Sequence, residues 1–165
     1  DYEIVFVNDG SKDKTLQNLK ELHRQSRQNI RVVSFSRNFG KESAIYAGLQ
    51  HCDEYISLID ADLQQDPAIV KQMTEILDAE PDTDCVCAFQ ETRHENKLMT
   101  SVKSAFYKMA TNMSEVDFVD GASDFRTFRR TVRDALLQMP EYFRFSKGLF
   151  SWVGFNTKYI PYCHL

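Results

Sequence analysis

The chain has 165 residues and a net charge of −4, enough length for one domain with a proper core. The acidic balance argues against a general nucleic-acid binder, which carries a basic surplus. No apolar run approaches the length of a membrane span and no signal peptide is visible, so this stretch is expected to be soluble.

In chain order, Glu3-Ile4-Val5-Phe6-Val7 reads as a buried strand of the parallel type. Asn8-Asp9-Gly10-Ser11 is a turn, and Ser11 or Asp13 can cap the helix that follows. That helix carries Leu16, Leu19 and Leu22 on one face. Ile30 to Phe35 is a second strand, Ser36 to Gly40 a second turn, and Lys41 to about Gln50 a second helix. Tyr55-Ile56-Ser57-Leu58-Ile59 is a short apolar strand that runs into Asp60-Ala61-Asp62. Asp66 is placed to cap a third helix with Pro67 at its first position; Ile69, Val70, Met73, Ile76 and Leu77 form its apolar face. Cys85 to Phe89 is a further strand.

This alternation predicts an α/β fold, Rossmann-like, with a mostly parallel sheet and helices on both faces. The pattern then changes. Lys97 to Met113 reads as a long amphipathic helix, and Phe118 to Phe128 as a connection into a strand. Thr131 to Met139 is a short helix in which Thr131 and Asp134 fit a capping box, ended by Pro140. From Tyr142 onward aromatic residues crowd together with Arg144, Lys147 and Lys158, which suits either a lipid-facing surface or ordinary core. Cys85 and Cys87, at alternate strand positions, read as reduced, packed thiols; Cys52, Cys163 and the four scattered histidines show no metal-ligand spacing. Residues 1–165 are expected to form one domain. The start at Asp1 and the stop at Leu165 suggest a fragment of a longer chain.

Three turns carry the candidate chemistry. In the first, Asp9 can accept hydrogen bonds from a ribose or base, and Gly10 permits close backbone approach. In the second, Arg37 and Lys41 flank a helix N-terminus, which favours anions. In the third, Asp60 and Asp62 sit two apart at a strand end, so strand alternation would aim both carboxylates the same way. Such a pair is costly unless a cation joins it, and hard oxygen ligands, with Gln64 as a further donor, suit Mg2+ or Mn2+. Taken singly, each has a plainer reading: Asp9 and Ser11 as helix caps, Arg37 and Lys41 as surface charges, Asp60 and Asp62 as a solvated acidic loop, and Arg126, Arg129 and Arg130 as the polar end of a strand. Their common sheet edge suits a nucleoside diphosphate.

The successive motifs VNDGSKDKT, SRNFGKESAIYAGL, DADLQQDP and SDFRTFRR resemble those of the family 2 glycosyltransferases. The nearest branch is the dolichol-phosphate-mannose-synthase-like or bacterial polyprenyl-phosphate (bactoprenol) enzymes, and KGLFSWVGFNTKYIPY resembles the stretch that follows in the bacterial members. The resemblance implies a GT-A fold and inverting, metal-dependent transfer of a sugar from a nucleotide-sugar, UDP favoured over GDP, to a lipid phosphate. It implies that Asp9 reads the nucleoside, that Asp60, Asp62 and Gln64 hold Mg2+ or Mn2+, and that Asp124 and Arg126 stand at the transferred sugar and phosphates as the catalytic pair. Arg129 or Arg130 is then available as a second phosphate clamp, and Arg37, Lys41 and Asp60 join the donor site. Gln64-Gln65-Asp66-Pro67 is one residue longer than the commoner family wording. The family's first strand and its C-terminal membrane helices would lie outside this chain. The parent protein would work at the cytoplasmic face of a membrane, and the exposed strand edge suits a homo-oligomer. A nucleotidyltransferase, a transferase with a glycan or other acceptor, and a non-catalytic nucleotide-sugar-binding module are the alternatives.

Overall fold

The computed structural model describes residues 2–90, 122–139, 150 and 154–162. The chain divides into two compact units.

The first unit holds β1 (Glu3–Asn8), α1 (Thr15–Gln25), β2 (Asn29–Ser34) and α2 (Lys41–Leu49). β1 and β2 pair in parallel, Glu3 with Asn29 through Asn8 with Ser34. Parallel neighbours need a crossover, and α1 supplies it. The N-cap position of α1 is Lys14, not the expected Ser11 or Asp13, although the Asp13 carboxylate accepts the Thr15 N–H at 2.9 Å. Of the apolar face, Leu16 and Leu19 are half-buried whereas Leu22 is exposed.

The second unit holds β3 (Tyr55–Leu58), α3 (Ile69–Ala79), β4 (Cys85–Gln90), β5 (Ala122–Arg129), nearly all of α4 (Arg130–Leu137) and β6 (Thr157–Tyr162). Its sheet runs in the order β3-β5-β4-β6. β5 is antiparallel to both β3 and β4, while β6 is parallel to β4. This sheet is therefore mixed, where alternation predicted mostly parallel strands. β5 follows β4 in the chain after residues 91–121, which lie outside the described set along with the expected helix Lys97 to Met113. Local periodicity carries no information about strand direction.

β4 is buried along both faces: Cys85 and Cys87 on one, Val86 and Ala88 on the other. α3 lies on the second of these. Its Met73 and Leu77, both fully buried, join Val86, Ala88, Phe125, Ile160 and Tyr162 in one core, flanked by Ile69, Val70 and Ile76. The predicted apolar stripe of α3 is thus the one that packs. Asp66 accepts the Ala68 N–H at 2.9 Å, and bonds from Ile69 to Asp66 and from Val70 to Pro67 tighten the entry into a 3₁₀ turn before the α-helix proper. Pro161 sits in β6, which has a partner on one side among the described strands, where a missing N–H is tolerated.

The opposite face of the sheet carries two cross-strand rows. One runs Ile56–Phe128–Cys85–Thr157 and the other Leu58–Arg126–Cys87–Tyr159. Phe150 covers this face, its ring 5.0 Å from that of Phe128 and 4.1 Å from the Arg126 guanidinium. Phe150 is 6% exposed, so this member of the aromatic segment is core. Tyr142, Phe143, Arg144, Phe145, Lys147 and Trp152 lie outside the described residues, and Lys158 is ion-paired with Glu80. The expected Thr131–Asp134 capping box gives way to a different arrangement: the Asp134 carboxylate takes Arg133 and Arg130, because α4 leaves β5 directly at Arg130. Cys52, Cys85 and Cys87 are reduced thiols in this structure. Among the described residues no helix is long and apolar enough to cross a membrane.

Candidate functional site

In the first unit, two turns are locked to each other. β1 ends at Asn8, which is 3% exposed. Its side-chain amide donates to Ser34 Oγ at 3.0 Å, its carbonyl accepts the Phe35 N–H at 3.0 Å, and its Oδ1 accepts the Ser11 N–H at 3.3 Å. The next residue, Asp9, accepts the Phe39 N–H on Oδ1 at 2.7 Å and the Gly40 N–H on Oδ2 at 2.9 Å. Gly10 has φ +66°, and a β-carbon there would stand 2.2 Å from the carbonyl carbon of Arg37. The close approach that Gly10 permits is thus, in this structure, that of the second turn's own backbone.

Arg37 is exposed and lies over the Phe39 ring at 4.3 Å, and Phe39 meets Phe35 edge-on at 5.5 Å. Gly40, at φ +94°, precedes Lys41, the exposed first residue of α2. The two N–H groups just ahead of α2 are taken by the Asp9 carboxylate. The sequence reading missed Asn8 and Ser34. A polar residue closing an apolar run was the available signal for Asn8, but its partner lies 26 positions on.

In the second unit, β3 ends at Leu58, so Asp60 and Asp62 lie in a turn and not on the strand. Strand alternation does not set their directions. The turn makes its own geometry: Asp62 Oδ1 accepts the Gln64 N–H at 3.0 Å, and Leu63 takes φ +64° with 84% of its surface exposed. Gln65, only 7% exposed, reaches back so that its Oε1 accepts the Asp60 N–H at 2.9 Å. The extra residue in this motif therefore splits two jobs. Gln64 is exposed beside the carboxylates, and Gln65, unremarked in the sequence, braces the turn.

The antiparallel register places Leu58 opposite Arg126. The acidic turn after β3 and the Asp124–Arg126 start of β5 therefore share one end of the sheet. Between β5 and β4 the register shifts, from Cys87 opposite Arg126 to Phe89 opposite Ala122, so Asp124 falls where the pairing is irregular.

Arg126 is 4% exposed. Its field draws down the Cys85 thiol of the neighbouring row and the Tyr159 phenol of its own row. Burial outweighs it at both, pushing Cys85 up to about 12 and raising Tyr159.

In this structure Arg129 is engaged at the end of α3. Its Nε donates to the Thr83 carbonyl at 2.9 Å, and its Nη2 donates to the Leu77 and Glu80 carbonyls at the C-terminus of α3. Its Nη1 donates to Tyr55 Oη at 3.1 Å, and Tyr55 in turn donates to Asp78 at 2.8 Å, which raises the Tyr55 pKa. A helix C-terminus offers unpaired carbonyls and negative dipole, and Arg129 answers both. Arg130 is more than half exposed and lies 3.5 Å from Asp134.

For a divalent cation, the available donors are hard oxygens: the Asp60 and Asp62 carboxylates, with the Gln64 amide in the same turn. That set fits Mg2+ or Mn2+. Among the described residues no group of three or more His, Cys, Asp or Glu side chains is arranged to hold a metal, so water and substrate phosphate would complete the shell.

Comparison with solved structures defines the class. The chain superposes on Staphylococcus aureus TarS, residues 1–349, with a TM-score of 0.63 at 16% identity, covering 98% of this chain and 50% of that one. The same protein in complex with UDP gives 0.64 at 15% identity, covering 98% and 49%. The fold is thus the α/β arrangement of the GT-A type. More particularly, residues 1–137 match the family described as Glycosyl transferase family 2, and the chain belongs to that family. It is 42% identical over 163 residues to the putative glycosyltransferase CsbB of Bacillus subtilis (strain 168), covering 98% of this chain and 49% of that protein. It is 37% identical to the prophage bactoprenol glucosyl transferase homolog of Escherichia coli (strain K12), covering 97% and 52%. The chain spans about half the length of the curated relatives it matches.

Proposed function

We propose that residues 1–165 are part of the catalytic domain of an inverting glycosyltransferase that moves a sugar from a nucleoside-diphosphate sugar to a polyprenyl phosphate. One observation supports the reading: the antiparallel β3–β5 register puts the turn that carries Asp60 and Asp62 at the same end of a sheet as Asp124 and Arg126. The name of the Escherichia coli relative supports the lipid-phosphate acceptor, and the UDP bound by TarS supports uridine over guanosine. The parent protein would then act at a membrane, on its cytoplasmic face.

In this reading Asp60, Asp62 and Gln64 hold a divalent cation, which neutralises charge on the leaving diphosphate when bound. By the family resemblance, the Asp9 turn and the Arg37–Lys41 turn are the candidates for reading the nucleoside. Asp124 orients the sugar, and Arg126 is the fixed cation behind it, with Arg130 as the remaining candidate for a second clamp. A phosphate acceptor is already an anion at neutral pH and attacks without a general base. The demand on the protein is to bring two anionic partners together, which calls for fixed positive charge and placement.

The test is calorimetric titration of the full-length enzyme with UDP- and GDP-sugars in the presence and absence of Mn2+, for wild type and Asp62→Ala. Asp62 is exposed, so its loss should leave the fold intact. The expected result is Mn2+-dependent binding of the UDP-sugar that Asp62→Ala abolishes, and transfer of labelled sugar to polyprenyl phosphate by wild type. Unchanged donor affinity in Asp62→Ala would sink the metal assignment, and absence of transfer to any lipid phosphate would sink the acceptor.

A further inference from the structure

We infer that Asp9 is a positioning residue of the donor pocket: its carboxylate is the resident anion of the Phe39–Gly40 turn and sets that turn's backbone before any nucleotide arrives. The inference rests on the donor reading for what the turn is used for, but the clamp itself stands on geometry.

Both carboxylate oxygens are engaged, one by the Phe39 N–H and one by the Gly40 N–H. These donors lie just ahead of α2, where backbone N–H groups lack partners within the helix and the dipole favours negative charge. The bonds span 30 and 31 positions of chain, so they fix tertiary geometry. Three further features hold the same pair of turns. Gly10 lies against the Arg37–Asn38 backbone, Asn8 ties to Ser34, and Asn8 accepts the Phe35 N–H. Phe39 itself is 49% exposed. Its N–H would otherwise turn to water, so apolar burial alone does not hold the turn.

A phosphate cannot take these two N–H groups while Asp9 holds them. What Asp9 contributes to donor binding is then transmitted through the turn, which carries Arg37, Phe39 and the start of α2. Loss of Asp9 should weaken every nucleotide alike. A residue that read the base would instead discriminate between bases.

The experiment combines amide hydrogen exchange with nucleotide binding on the full-length protein, comparing wild type, Asp9→Asn and Asp9→Ala. Without nucleotide, the Phe39 and Gly40 amides should exchange at least about tenfold faster in Asp9→Ala, as expected for loss of charge-assisted hydrogen bonds. Asp9→Asn keeps one acceptor oxygen and should deprotect one of the two amides. Amides of β1 and β2 should keep wild-type protection and so report that the fold survives; if Asp9→Ala loses them, Asp9→Asn decides. UDP and GDP affinities should fall by the same factor, leaving their ratio within about twofold of wild type. Unchanged protection of Phe39 and Gly40 overturns the proposal, and so does a shifted UDP-to-GDP ratio. If wild type binds neither nucleotide, the donor reading fails, and the exchange result still decides the clamp.

Discussion

Replacing Gly10 by alanine tests the lock between the two turns of the first unit. Two costs add. At φ +66° an L-residue with a β-carbon costs about 1–2 kcal/mol. The new β-carbon would also stand 2.2 Å from the Arg37 carbonyl carbon, 2.5 Å from the Asn38 nitrogen and 2.6 Å from the Arg37 Cα. All three are backbone atoms that no rotamer change can move aside, and forced overpacking costs about 1–3 kcal/mol. The sum is roughly 2–5 kcal/mol, which at about 2–4 °C per kcal/mol lowers Tm by roughly 4–20 °C. Gly40→Ala is the internal control. Gly40 also has positive φ, +94°, but a β-carbon there meets nothing within 4 Å, so only the backbone penalty applies. Thermal denaturation followed by circular dichroism compares the two. A Gly10→Ala variant no less stable than Gly40→Ala would refute the claim that the turns are in backbone contact. Relief of the difference by a compensating change in the second turn would support it.

Arg129→Met should cost about 2–4 kcal/mol, because it strips the C-terminal carbonyls of α3 of their donor and leaves Tyr55 with Asp78 alone. Its donor KM should match wild type, and a raised KM with unchanged stability would return Arg129 to the phosphate site. The Cys85 thiol, pushed up to about 12 by burial from 9.0, keeps its proton in the folded state while the unfolded chain gives its proton up. Wild type should therefore lose stability relative to Cys85→Ala as pH rises above about 9 towards 12. Urea midpoints across that range check it, and a difference independent of pH would mean the thiol ionises freely in the fold.

The sequence by itself determined the elements and the chemistry each turn has to offer. Apolar strand runs and the α3 stripe from Ile69 to Leu77 are local, and each was legible from spacing and residue type; the helix starts were less so, since Lys14 and Ala68 hold the N-cap positions where Asp13 and Asp66 were expected. The family was legible too, because VNDGS, DADLQQDP and SDFR stand in order along the chain. Tertiary structure decided what those residues do. Asp9, Gly10 and Asn8 are committed to a turn about 30 positions away, and no local window contains the partner. Arg129 looks from the sequence like a phosphate ligand beside Arg130; only the packing of β5 against α3 shows that carbonyls at a helix end claim it. The Asp60–Asp62 pair could be found by eye, but that its turn leaves the β3 end paired with Arg126 comes from an antiparallel register. Strand direction depends on which edges meet when the core closes, and a hydrophobic pattern reads the same in either direction.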